Sequence, residues 1–77
     1  MKVIFYTGPN CQLCDVANAL ISSSNLALAR DWQVVNVRDD VDLYHMYGAR
    51  IPVLQRQDTL ATLFWPFDLH ALEQFLS

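Results

Sequence analysis

The sequence predicts an α/β fold with the element order β-α-β-α-β-β-α, in which a four-stranded mixed sheet is flanked by helices. Three observations predict it: apolar, β-branched segments of strand length, segments with apolar residues every three or four positions, and Gly or Pro residues between them. A β-α-β start implies two parallel strands joined by a right-handed crossover. The closing β-β-α implies an antiparallel pair with a helix laid across the sheet.

The first half of the chain supplies two strands and the first helix. The segment KVIFYT, residues 2–7, is apolar with little alternation, which is typical of a central strand covered on both faces. From residue 12 to about residue 29 the pattern is helical, although Ser-Ser-Ser-Asn at 22–25 weakens it and leaves the rest as a further turn. The predicted buried face comprises Leu13, Val16, Ala17, Leu20 and Ile21. WQVVNV, residues 32–37, is the second strand.

The second half supplies a short helix, two strands and a last helix. RDDVDLYHMYG, residues 38–48, begins with acids and ends in glycine, which are the signals of a short helix. Its predicted buried side comprises Val41, Tyr44, Met46 and Tyr47. IPVLQRQ (51–57) and LATLFW (60–65) are the last two strands, and Asp68 caps a helix over 69–76. The predicted inward face of that helix comprises Leu69, Leu72, Phe75 and Leu76.

The composition predicts one small domain over residues 1–77. Hydrophobic residues make up 53% of the chain, too many for a disordered segment. The net charge is −3 and the five basic residues are scattered, so the chain has no basic footprint for nucleic acid or an anionic membrane. No apolar run approaches the ~18 residues of a spanning helix, and the start does not resemble a secretory signal. We therefore expect a cytoplasmic monomer.

The two cysteines, Cys11 and Cys14, lie where the first strand hands over to the first helix. In a reducing cytosol a close cysteine pair is more often catalytic or metal-binding than structural. Unpaired backbone N–H groups at the helix start favour the thiolate of Cys11 by roughly 0.3–1 kcal/mol. We therefore predict that Cys11 is the exposed nucleophile and that Cys14, one turn further in, is the buried resolving thiol.

Three other interpretations of the pair are weaker. A disulfide that closes a loop of about four residues stabilises the fold by only on the order of 2 kcal/mol. Two ordinary buried cysteines are common in protein cores. A zinc site needs more ligands, and His45 and His70 are far from the pair and from each other in sequence. The residues therefore favour a redox pair that requires no metal and no organic cofactor.

The strand–CxxC–helix start, followed by β-α and a strand that opens with Ile-Pro, resembles the thioredoxin fold of the glutaredoxin type. FYTGPNCQLC (5–14) resembles the strand and active-site entry of small bacterial glutaredoxin-like proteins, and RIPVL (50–54) resembles their cis-proline segment. The resemblance covers essentially the whole chain. It implies that the Ile51–Pro52 bond is cis and packs against the disulfide. It also implies that the backbone of Ile51 pairs with an extended substrate segment.

The chain departs from the glutaredoxin pattern where the family binds glutathione. Gly8 stands in place of the usual lysine, Gln12–Leu13 in place of Pro-Tyr, and LFWPFD (63–68) has no Gly-Gly turn. Glutathione is therefore a cofactor that the resemblance alone implies, and we do not expect it to be required. Trp65 and Phe67 replace the glycines, either as an apolar platform for a partner or as core residues that fill the gap beside the last helix.

The sequence thus predicts a redox-active centre for thiol–disulfide exchange and electron transport. The predicted catalytic residues are Cys11 and Cys14, and the predicted substrate contacts are Ile51, Pro52, Trp65 and Phe67. The expected substrate is a disulfide-containing protein or a small thiol. The alternative is a non-enzymatic protein-interaction module on the same fold. Arg50 and Arg56 either meet an anionic substrate or simply face water.

Overall fold

A computed structural model describes all of residues 1–77. Its strands are β1 (Lys2–Thr7), β2 (Asp31–Asn36), β3 (Val53–Arg56) and β4 (Thr62–Phe64). Its helices are α1 (Gln12–Ser22), α2 (Asn25–Leu28), α3 (Val41–Tyr47) and α4 (Leu69–Leu76), with a 3₁₀ turn at Val37–Asp39. The predicted element order is confirmed, and the further turn forms the short helix α2. None of the helices is long and apolar enough to cross a membrane.

The four strands form one mixed sheet in the order β2-β1-β3-β4. Strand β1 runs parallel to β2 and antiparallel to β3, and β4 runs antiparallel to β3. Phe5 in β1 pairs with Val34 on one side and with Leu54 on the other. Strand β1 is therefore central, and the predicted parallel crossover and closing antiparallel pair are both confirmed.

Strand β1 is apolar on both faces because helices cover both faces of the sheet. Val3 and Phe5 belong to a core cluster with residues of α1, α2 and α4, whereas Tyr6 belongs to a second cluster with Val37 and residues of α3 and β3. Alternate side chains of β1 therefore enter different cores. This two-sided burial is the physical reason for the weak polar alternation in KVIFYT.

The buried face of α1 runs along Cys14, Ala17 and Ile21. These positions are three and four residues apart, so they form one narrow stripe along the helix. The prediction that Leu13 and Val16 are buried is wrong, because their side chains are 50% and 53% exposed. Each lies one position before a residue of the stripe, which turns it by about 100° away from the sheet.

The predicted buried side of α3 is wrong for three of its four residues. Val41, Tyr44 and Met46 are exposed, and only Tyr47 is buried. Tyr47 stacks on Tyr6 with ring centroids 4.7 Å apart. Because α3 is short, it contacts the sheet mainly through Tyr47 and the partly buried Leu43, which are four residues apart on one face. The remaining apolar side chains of α3 point to solvent.

Side-chain hydrogen bonds fix both ends of helix α4. Its cap is confirmed, since the Ala71 N–H donates to Asp68 Oδ1 over 2.8 Å. At the other end the Arg56 guanidinium donates to the carbonyls of Phe75 and Ser77 and forms the one ion pair of the chain, with Asp58. The hydrogen bond from Arg56 holds the pKa of Asp58 at about 2. Arg56 is thereby committed to fastening α4 to β3, not to a substrate.

We expect the substitution Leu60→Asn to stabilise the protein. Leu60 has a φ of 63° in the turn between β3 and β4, and its side chain is 63% exposed. The left-handed region costs a side chain of this kind roughly 1–2 kcal/mol, whereas Asn tolerates it better. The free energy of unfolding in urea should rise by about 0.5–1 kcal/mol.

Leu28 provides the control, because it is also 63% exposed but lies in α2 with ordinary helical geometry. Leu28→Asn should give no gain, since Asn is a poorer helix former than Leu. Equal stabilisation by both substitutions would show that removing an exposed leucine, not relief of backbone strain, is the cause.

Candidate active site

The turn between β1 and α1 places the two cysteines at the surface end of the central strand. Strand β1 ends at Thr7, and Asn10 adopts a φ of 55°. Asn is one of the few residues that tolerate this left-handed conformation. Cys11 is extended, with φ −101° and ψ 95°, and immediately precedes the first residue of α1. The local sequence therefore turns the chain just before the first sulfur.

Cys11 and Cys14 are joined by a disulfide. Their Cα atoms are 5.2 Å apart, within the range of about 4.4–6.8 Å that a disulfide spans. The approach is possible because Cys11 lies outside the helix, as its position in the sequence predicts. Cys11 is partly exposed, whereas Cys14 is only 4% exposed and belongs to the core cluster. An incoming sulfur therefore reaches Cys11 first.

The sulfur of Cys11 is also the N-cap of α1. The Cys14 N–H donates to Cys11 Sγ over 3.0 Å, a role usually filled by a Ser, Thr, Asp or Asn oxygen. The same N–H and the helix dipole stabilise negative charge on this sulfur when the disulfide is reduced. The sequence predicts the effect of the helix start, but the direct sulfur cap was not foreseen.

No positively charged side chain lines the surface depression over the disulfide. Its volume is about 440 Å³, and its one ionisable group other than the cysteines is Asp15. No lysine, arginine or histidine lines it, and no group of three or more His, Cys, Asp or Glu side chains converges anywhere in the chain as metal ligands would. Stabilisation of a Cys11 thiolate therefore comes from the backbone at the start of α1.

The Ile51–Pro52 bond is cis, as the resemblance implies, and Pro52 is fully buried. A Cβ atom at Gly8 would lie only 2.8 Å from Ile51 Cδ1. Ile51 thus occupies the space that a side chain at residue 8 would need. This contact ties the proline segment to the loop that carries the cysteines, and it gives a packing reason for glycine at position 8.

Of the two backbone polar groups of Ile51, only the N–H is hydrogen-bonded within the protein. Its N–H donates to the carbonyl of Tyr47 at the end of α3 over 3.0 Å. No donor of the chain hydrogen-bonds to the Ile51 carbonyl. An extended segment that docks here would therefore use the carbonyl without any change in the protein, and pairing with a substrate at Ile51 stays a prediction.

An apolar groove of about 440 Å³ begins beside this segment. It is lined by Leu13, Ala49, Arg50, Ile51, Phe64 and Trp65. The structure therefore brings two of the predicted contacts, Ile51 and Trp65, to one surface. Phe67 lies behind them: it is 8% exposed, belongs to the core, and packs edge-on against Trp65 with ring centroids 5.0 Å apart. Phe67 positions the Trp65 ring and does not line the groove.

Three groove residues were not foreseen as site residues. The sequence predicts Leu13 on the buried face of α1, and the signal against this prediction is that Cys14 fills the adjacent buried position. Ala49 lies in the turn after α3 and Phe64 lies in strand β4, and no local pattern links these segments. His45 and His70 lie exposed on α3 and α4 and take no part in the groove or the depression.

The fold and the site together define a class of protein. A cysteine pair at the start of the first helix, beside a cis-proline segment and a sheet with helices on both faces, is the arrangement of the thioredoxin fold. Thioredoxin 1 from Thermosipho africanus TCF52B superimposes with a TM-score of 0.66 and 15% identity, over 99% of this chain and 94% of that one. At this identity the likeness concerns the fold alone, and the predicted thioredoxin-like fold is confirmed.

The chain belongs to the glutaredoxin-like domain family (DUF836), whose family model matches residues 2–77. The X-ray structure of protein XcR50 from X. campestris is 34% identical, with a TM-score of 0.82 over 96% of this chain and 93% of that one. The solution structure of XcR50 is 36% identical, with a TM-score of 0.80 over 99% and 92%. Among curated proteins none matches. The predicted family resemblance is confirmed.

We expect Cys11→Ser to leave the protein more stable than Cys11→Ala. Both substitutions remove the same sulfur, but only the serine oxygen can still accept the Cys14 N–H at the start of α1. The serine variant should unfold in urea with a free energy higher by about 1 kcal/mol. Both variants lack the disulfide, so the difference isolates the cap.

Asp68 provides the matched pair, since its side chain also accepts the backbone N–H three residues further on, at the start of α4. The free energy of unfolding of Asp68→Ser should exceed that of Asp68→Ala by a similar amount, which measures what a serine cap contributes in this fold. A difference at Asp68 without one at Cys11 would mean that the Cys11 side chain does not cap α1.

Proposed function

We propose that the protein is a thiol–disulfide oxidoreductase that acts through Cys11 and Cys14. The observation that carries this proposal is the asymmetry of the pair. One sulfur is reachable at the start of a helix, and the other is buried one turn behind it within bonding reach. Membership in a glutaredoxin-like family supports the same chemistry.

The reaction begins from the reduced dithiol. The Cys11 thiolate attacks one sulfur of a substrate disulfide, so a Cys11–substrate bond forms as the substrate disulfide breaks. The second substrate sulfur leaves as a thiolate and takes up a proton from water. The Cys14 N–H and the dipole of α1 favour the attacking thiolate, since both are aimed at Cys11 Sγ.

The second step closes the disulfide seen in the structure. Cys14 loses its proton and attacks Cys11 Sγ, which releases the other substrate sulfur as a thiolate. Because Cys14 is held one turn away, this attack is intramolecular and outruns attack by outside thiols. The substrate gains two electrons and the cysteine pair loses two. A donor dithiol restores the reduced pair through the same exchange in reverse.

This scheme assigns no role to a metal or an organic cofactor, because the two cysteines carry both electrons. Two of the contacts with which glutaredoxins hold glutathione are missing from this chain. Gly8 stands where glutaredoxins usually carry a lysine, with Ile51 packed into the space beside it, and LFWPFD (63–68) has no Gly-Gly turn. We derive no step through glutathione. One chain supplies every residue of the scheme, so a monomer suffices, and the dithiol form suits a reducing compartment such as the cytosol.

We expect Cys11→Ser to abolish disulfide reduction and Cys14→Ser to arrest it after the first step. The first variant lacks the attacking sulfur, and the second lacks the sulfur that releases the substrate. The measurements are insulin reduction with dithiothreitol as donor, and intact mass after incubation with a peptide disulfide. Cys14→Ser should accumulate one adduct on Cys11.

Cys14→Ser also serves as the control for loss of the disulfide, because it removes that bond while keeping Cys11. If Cys11→Ser reduces insulin at the wild-type rate, the oxidoreductase proposal fails. The chain would then be better described as a non-enzymatic interaction module that uses the same apolar groove.

A further inference from the structure

The arginine side chains differ in the hydrogen bonds and ion pairs that they make within the protein. Arg56 is bound to Asp58 and to two carbonyls at the end of α4, and Arg30 donates two hydrogen bonds to the carbonyl of Leu76. The guanidinium of Arg50 makes no ion pair and no hydrogen bond within the protein. Arg50 therefore retains its full set of donors for an outside group.

Arg50 stands at the wall of the apolar groove beside the disulfide loop. Its guanidinium carbon lies 5.3 Å from the centroid of the Phe64 ring, which holds the planar group against the groove by a cation–π contact. It is the one ionisable residue among the six that line the groove. Stacking covers one face of the guanidinium and leaves its edge N–H groups, which suit a carboxylate.

The other five lining residues are hydrophobic, and three of them, Leu13, Ala49 and Phe64, are exposed. Leu13 is 50% exposed and Phe64 is 37% exposed. Exposed apolar surface with a single placed charge is typical of a binding surface. Leu13 lies between the two cysteines in sequence, and Ile51 touches the loop that carries them. A molecule attached to Cys11 by a disulfide is therefore within reach of this groove.

We propose that the groove binds an extended segment of a protein substrate that carries an apolar and an acidic side chain next to the cysteine under attack. This inference rests on the oxidoreductase function proposed above. The carboxylate binds Arg50, the apolar side chain packs among Leu13, Ile51 and Trp65, and a backbone N–H meets the Ile51 carbonyl. A protein segment suits this lining better than glutathione, which has no apolar side chain to fill it.

The net charge of the chain does not favour acidic substrates. The net charge is −3, so the long-range field of the protein opposes an acidic segment. A preference for acidic substrates must then arise locally, from the guanidinium at the groove. This makes Arg50 the specificity-determining residue and separates its effect from general steering by charge.

The test uses three peptides with one intramolecular disulfide that differ only in a Glu, Gln or Lys residue beside the same cysteine. The wild-type protein should reduce the Glu peptide with a kcat/KM about fivefold above that of the Lys peptide at low salt, with the Gln peptide between them. Arg50→Gln should remove this preference, and raising the salt concentration should weaken it in the wild type.

Arg38→Gln is the matched control. Arg38 also lies over an aromatic ring, 5.9 Å from the centroid of Tyr44, but it is not part of the groove. The Arg38→Gln variant should keep the wild-type preference for the Glu peptide.

The apolar part of the proposal is tested in the Glu peptide. Replacing an apolar neighbour of the cysteine by serine should lower kcat/KM about fivefold for the wild type and for Arg38→Gln.

The outcomes separate this inference from the function on which it rests. If no peptide is reduced, the oxidoreductase proposal fails. If all three are reduced at equal rates, the oxidoreductase stands and the acidic preference is wrong. Equal loss of preference in Arg50→Gln and Arg38→Gln would show that the preference follows the total charge of the chain and not the position of Arg50 at the groove, and it would overturn the assignment to Arg50. Faster reduction of oxidised glutathione than of the Glu peptide, abolished by Arg50→Gln, would assign the groove to a small anionic thiol and overturn the protein-segment proposal.

Discussion

The hydrogen bond from the Cys14 N–H to the sulfur of Cys11 is the interaction on which the candidate site depends. It makes the sulfur part of the helix start, so the group that caps α1 is also the nucleophile of the proposed reaction. The same turn leaves Cys11 partly exposed and puts Cys14 in the core. Activation, exposure and the order of the two attacks therefore follow from one local geometry.

The rest of the fold holds this helix start in place. Strand β1 is buried on both faces and delivers the turn at residues 8–11 to the surface end of the sheet. The stripe of Cys14, Ala17 and Ile21 fixes the rotation of α1 against the sheet. Ile51 packs into the space beside Gly8 and joins the proline segment to the cysteine loop. The apolar groove and Arg50 then extend from that contact, so the proposed binding surface lies next to the cysteine pair.

The sequence predicts the parts of this protein that are encoded locally. The element order, the cap at Asp68 and the strand–cysteine–helix junction were all readable, because periodicity, caps and turns act over a few residues. The buried side of α3 was not, because a seven-residue helix with apolar residues over more than half of its circumference does not show which side meets the sheet. The different roles of Arg50 and Arg56 were also hidden, since they depend on Phe64, Asp58 and the far end of α4.

In the proposed mechanism the two sulfurs differ. Cys11 is accessible from solvent and its thiolate is stabilised at the start of α1, whereas Cys14 is buried. Competitive alkylation of the fully reduced protein with a small iodoacetamide reagent near neutral pH, followed by peptide mapping, measures this most directly. We expect Cys11 to be modified at least about tenfold faster than Cys14, because its thiolate fraction and its access to solvent are both greater. Equal rates at the two cysteines, or faster modification of Cys14, would contradict the proposed mechanism.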